Sequence, residues 1–202
     1  MAKQLTILES YSDIISIDGD AIIYEGAKVP KLKTIKGNAQ ILKGGNVPKL
    51  ESVGGNAFIH KGAKVSNLES IGGNAEIYPG TNVPNLKSIR RSAYIYEGVK
   101  VPNLKTIGWY AEIHEKVNVS KLEFIGGWTI IHKGTDAPNL KYIRSNATIY
   151  EGVNIPNLKS IEGWANIFEG VNAPKLKTIR GDANIRKGAN VPKLKFTNKE
   201  ID

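Results

Sequence analysis

The chain has no cysteine. Disulfides and thiolate chemistry are therefore excluded, and the composition fits a reducing, cytoplasmic compartment. Long apolar runs are also missing: none approaches the ~18–20 residues of a membrane span, and the polar start "MAKQLTILES" lacks a signal-peptide core. No membrane association is expected. Neither a GxxxxGK[ST] phosphate loop nor a GxGxxG between strand and helix is found. What remains is a chain of 202 residues, 41% hydrophobic and with a net charge of +9, enough apolar material for a continuous core. The charge makes anionic partners attractive without saying where on the surface it sits.

One more absence organises the rest. From Gly19 onward, ten units of 18 residues follow one another without an insertion or deletion, starting at 19, 37, 55, 73, 91, 109, 127, 145, 163 and 181. Their consensus is G-N-A-x-I-x-x-G-x-N-V-P-x-L-K-S-I-G. Residues 1–18 read as a degenerate unit, with Leu5, Ile14 and Ile17 in matching columns, and would form the N-terminal cap that a solenoid requires. Residues 19–198 are read as one solenoid. The repeat fades at Phe196, Thr197 and Asn198, and 199–202 form a charged tail.

The columns separate inside from outside. The third is Ala except for Thr129, the fifth is Ile in every unit, and the fourteenth is always Leu. The eleventh is Val, Ile or Ala, and the seventeenth is Ile or Val until Thr197. Ala-x-Ile alternation has the period of a strand with one face inward. Gly at the eighth column and Gly-Asn at the first two mark corners, where a positive φ is cheap. Pro at the twelfth suits a corner or a strand start. Eighteen residues are too few for two packed helices, so the expected fold is all-β, a three-sided parallel β-solenoid of ten coils. At about 4.8 Å per coil the rod is roughly 48 Å long.

Two resemblances rest on these residues. Ile or Val at columns five, eleven and seventeen recurs every six positions, with small residues two places earlier in "IGGNAE" and "IYPGTN". This pattern resembles the left-handed hexapeptide-repeat helix. The third hexad, "VPNLKS", departs from it, placing Leu at a turn position and Lys at a small-residue position. The stretch VPNLKSIGGNAxI instead resembles leucine-rich-repeat-like and receptor-L-type repeats, including bacterial and phage ones. The handedness of the coil stays open between them. The first resemblance implies acyl transfer. The second implies display of a face to a partner, an inhibitor of the phage or mobile-element type included.

Acyltransferases of the hexapeptide kind use a catalytic His and loops that protrude from the coils. No unit here has room for such a loop, and His60, His114 and His132 all fall in column six, exchanging with Tyr, Phe, Leu and Arg. Such exchange marks an exposed ladder rather than a positioned base, so no catalytic residue is assigned and the chain is read as no enzyme. His114 and His132 lie in adjacent coils, about 5 Å apart. Zinc wants three or four ligands, and Glu112 and Glu115 are weakly placed to complete them. Stacked imidazoles are the preferred reading. No metal, other cofactor or small-molecule substrate is expected, and the Ser and Thr of column sixteen form no Ser–His–acid set.

Columns two, four and six share the outward side of the Ala-x-Ile strand. They gather Tyr78, Tyr94, Tyr96, Tyr110, His114, Trp128, His132, Tyr150, Trp164 and Phe168, with Trp109 beside them. Such a strip either stabilises itself as a ladder or serves as a binding surface, since Tyr and Trp are enriched at hot spots. It is the candidate site for a protein partner or a homo-oligomer. The charge lies elsewhere. Columns thirteen, fifteen and eighteen hold sixteen Lys or Arg against four Glu, including the stripe Lys87, Lys105, Lys141, Lys159, Lys177 and Lys195. That side either keeps the rod soluble or binds phosphates, making nucleic acid the alternative partner.

Overall fold

A computed structural model describes residues 4–195; the expectations for 196–198 and for the tail lie outside the described residues. The chain is all-β, with no helix among the described residues, and forms a parallel solenoid of about ten coils. Accordingly, no helix there is long and apolar enough to cross a membrane. Each coil supplies a short strand at columns three to five, such as Ala39–Ile41, and a two-residue strand at columns sixteen and seventeen, such as Thr34–Ile35. The former build an 11-stranded sheet and the latter a 10-stranded sheet. Pairing is parallel and keeps the repeat's register, Ala93 opposite Ala111 and Ile95 opposite Ile113. On the third side only single bridges at column ten survive, Lys28–Asn46–Lys64 and then Asn82 through Asn190. The break between Lys64 and Asn82 falls where column nine changes from Ala63 to Thr81.

Two turns bend each coil. The column-fourteen Leu donates its N–H to the column-eleven carbonyl, as from Leu86 to Val83 and from Leu104 to Val101. This is a β-turn with Pro at its second position, where the ring presets φ. It explains the departing hexad: the turn drives Leu inward, and every column-fourteen Leu from Leu32 to Leu176 is fully buried. The other turn closes between columns six and nine with a positive φ at column eight, the geometry that asks for Gly. Gly supplies it in nine coils; in the sixth, Lys116 takes φ 58°.

The core is one continuous stack. Ile77, Ile95, Ile113 and Ile149 have no exposed surface, as the repeat implies. Column nine, not assigned to the core above, is also buried through Ala63, Val99, Val117, Val153 and Val171, with Thr81 and Thr135 among them. The buried hydroxyls are not orphaned: Thr135 donates to the His114 carbonyl at 3.1 Å and Thr129 to the Gly127 carbonyl at 3.1 Å. At the N-terminal end the expected register is corrected. Leu5 lies opposite Ala21 and is exposed, while Ile7 lies opposite Ile23 and is buried. The first coil is two residues shorter between its strands than the others, which moves the core position from Leu5 to Ile7.

Candidate functional site

The outward aromatic columns are organised by the 18-residue period. Because column six repeats at each coil, its rings fall in line, and seven of them stack without a gap: His60, Tyr78, Tyr96, His114, His132, Tyr150 and Phe168. Centroids are 4.3–5.4 Å apart, and the rings are within 26° of parallel. Each ring covers its neighbours' faces, so these side chains are half-buried and offer edges to solvent. A second cluster lies at the column-two corner. Tyr94 meets Tyr110 at 5.2 Å, Tyr110 meets Trp128 edge-on at 6.0 Å, and Trp128 reaches past the intervening coil to Trp164 at 6.3 Å. Here the indoles are open: Trp109 is 64% exposed and Trp128 45%.

The corner backbone explains why the aromatics sit there. In the early coils column two is an amide ladder in which Asn38, Asn56 and Asn74 each accept the next coil's N–H at 2.8–3.1 Å. Tyr110, Trp128 and Trp164 replace that ladder with rings. Trp109 lies across Gly127, where an added Cβ would meet its Cδ1 at 2.6 Å. The same position would also meet the Trp109 backbone at 2.7 Å, a close approach of successive coils that recurs at Gly55 and Gly73.

Where the two clusters meet, the fold joins four polar side chains. Oε1 of Glu112 lies 3.2 Å from Nε2 of His132 and 3.3 Å from Nε2 of His114. Its Oε2 accepts the Tyr110 hydroxyl at 2.7 Å. Burial pushes the Glu112 carboxyl up, but the Tyr110 hydroxyl, the His132 bond and the two imidazoles outweigh it and hold the group below its ordinary range. Burial lowers His114, and His132 lowers it further against the pull of Glu112. Burial and then the Glu112 carboxylate keep the Tyr110 phenol protonated well above its ordinary value. The sequence reading undervalued Glu112; its column-four position puts it between two column-six rings. Glu115 is exposed and does not join them.

The basic side is less uniform than its residue count. Lys87 pairs with Glu69 at 2.9 Å and Lys141 with Glu123 at 2.7 Å, so the interspersed glutamates neutralise part of the stripe. Lys105 and Lys177 have no ion pair among the described residues, and Lys195 is exposed on the last described coil. Lys159 lies over the Tyr142 ring at 5.7 Å, and Arg144 over Phe124 at 5.2 Å. Cations and aromatics therefore alternate beside the second sheet, where Phe124 and Tyr142 take the place of the small hydroxyl at column sixteen. Beside them runs an open groove of about 730 Å³ with a floor of Thr34, Ser52, Ser70, Ser88 and Thr106. Small hydroxyls at column sixteen and glycines at column eighteen leave it open; Phe124 ends it.

Comparisons with protein-family models, with curated proteins and with solved structures found no match to this chain.

Proposed function

We propose that the solenoid is a non-enzymatic binding module whose central coils engage a protein partner, or a second copy of the chain, through the aromatic corner. The observation that carries this reading is the exposure of Trp109 and Trp128 at the edge of a cluster with Tyr110 and Trp164. Open indoles on neighbouring coils are costly to leave in water and characteristic of contact centres. The half-buried stack of column six supports them from behind. Among the two resemblances, the inward Leu of column fourteen and its Pro turn favour the leucine-rich-repeat-like one. Sedimentation velocity and partner capture with W109A/W128A test the reading. The double variant should keep the native circular dichroism spectrum and lose association; unchanged association would move the contact elsewhere.

A second reading has its own support. The alternation of Phe124, Arg144, Tyr142 and Lys159 on the second sheet suits single-stranded nucleic acid, whose bases stack on rings while cations follow the phosphates. Binding of this kind would weaken steeply with salt. Reversal of Lys105, Lys159 and Lys177 to Glu should abolish it, whereas W109A/W128A should still bind wild-type amounts. An absence of salt-sensitive binding to any single strand would end this reading.

A further inference from the structure

We propose that Glu112, His114 and His132 form a site for a divalent transition metal of the zinc class. Three donor atoms, one from each residue, lie within 4.8 Å of one another, and this is the one such group among the described residues. Two imidazole nitrogens and a carboxylate oxygen are a donor set that zinc, nickel and cobalt accept.

The spacing carries the argument. In a tetrahedral site with bonds of about 2.0–2.1 Å, ligand atoms stand about 3.3–3.4 Å apart. The two carboxylate–imidazole separations, 3.2 and 3.3 Å, already have that value. Closing the third edge needs the two rings, now parallel with centroids 4.3 Å apart, to turn about their Cβ–Cγ bonds until both lone pairs meet the ion. The adjoining stacks are looser, 5.2 Å to Tyr96 and 5.4 Å to Tyr150, and leave space for that turn.

The surroundings are those of a supported site. Metal-bound carboxylates are oriented by a hydrogen bond on their other oxygen, and Tyr110 supplies one to Oε2 of Glu112. Glu112 and Ile130 are register partners on adjacent paired strands, Ala111–Ile113 and Thr129–Ile131, so rigid backbone sets the ligand spacing. The ligands keep between 23% and 30% side-chain exposure, which lets an ion enter and leaves a fourth position for water or an outside donor. Other coils lack the set: His60 stacks on Tyr78, whose hydroxyl meets Glu76, and no second imidazole is present.

The test uses the full chain and Co²⁺, whose visible absorption reports tetrahedral coordination, followed by displacement with Zn²⁺. The expected result is one Co²⁺ per chain with a tetrahedral spectrum that Zn²⁺ removes. H114F and H132F should each abolish it. Column six holds Phe168 and several Tyr elsewhere, so these variants keep the ring stack and the fold, checked by circular dichroism. Y110F should retain one site with affinity about 10–100-fold weaker. W109A, which keeps Trp128 against Tyr110, should leave the titration unchanged, which separates failure of the metal site from failure of the partner reading. No cobalt binding, or binding that survives both histidine variants, overturns the proposal.

Discussion

The two sheets share one core and present different surfaces. Both bury an isoleucine column without exposure, Ile95 on the first and Ile107 on the second. Outward, the first sheet and its flanking turns carry three columns, one of them a continuous stack of rings from His60 to Phe168, whereas the second carries a single column of small hydroxyls interrupted by Phe124 and Tyr142. Strand length makes the difference. A strand spanning columns three to five, with turns on both flanks, gives side chains room to meet their counterparts in the next coil. A two-residue strand points one side chain out. A repeat can thus keep its interior constant and use one side as a place to vary.

That comparison breaks first if the cores differ. Ile95→Ala and Ile107→Ala should each cost about 2–5 kcal/mol through lost transfer energy and the cavity left behind. Urea unfolding followed by circular dichroism measures both. A large cost on one sheet and almost none on the other would mean that the sheets do not share a single core.

The outward faces should differ in energy as they differ in structure. Tyr96 lies between Tyr78 and His114, at 5.3 and 5.2 Å. Tyr96→Ala removes two stacking contacts of about 0.5–1.5 kcal/mol each. Ser88→Ala, on the second sheet's groove, should stay within about 0.5 kcal/mol of wild type. Equal effects would show that the stack contributes nothing beyond surface coverage.

The turn that leaves the first sheet offers a smaller, opposite effect. Lys116 holds a left-handed conformation that costs an L-residue about 1–2 kcal/mol. Its 2.7 Å pair with Glu97 is exposed and offsets little of that. Lys116→Gly should raise stability by about 0.5–1 kcal/mol after the entropy that glycine adds to the unfolded chain. The gain should grow with salt, as screening removes the ion pair from the wild type. A loss at high salt would contradict the turn assignment.

The smallest effect is a pH dependence confined to the stacked sheet. Burial, and then the Glu76 carboxylate that accepts its hydroxyl, raise the Tyr78 phenol above its ordinary value. The folded state thus holds this proton more tightly than the unfolded chain does. The contribution is complete below about pH 10, the unfolded phenol's value, and is lost as pH rises from there through the folded value. Tyr78→Phe should flatten the alkaline fall in stability. Ser88→Ala should leave it unchanged; identical alkaline profiles for wild type and Tyr78→Phe would refute the assignment.

Much of this protein could be read without coordinates. An unbroken period of 18, with Ile at column five and Leu at column fourteen, determined a stacked coil, because identical residues at a fixed interval can bury one face only by lying over each other. The corners were legible too, through Gly, Asn and Pro at fixed places, but among the described residues the expected positive φ occurs only at column eight; at column one glycine serves the close approach of the preceding coil. Column nine escaped because Ala, Gly, Thr and Val share no single identity there, although all are small enough for the inside of a tight turn. Leu5 misled because a cap need not keep the period. Tertiary structure decided how the candidate residues join. Glu112 and His132 are twenty residues apart, and only the lateral placement of columns four and six in neighbouring coils brings their polar atoms within 3.2 Å. Likewise Trp128 and Trp164 meet across an intervening coil. A repeat determines which residues stack along the rod; contacts that run diagonally between columns depend on side-chain length and corner geometry, which the period does not encode.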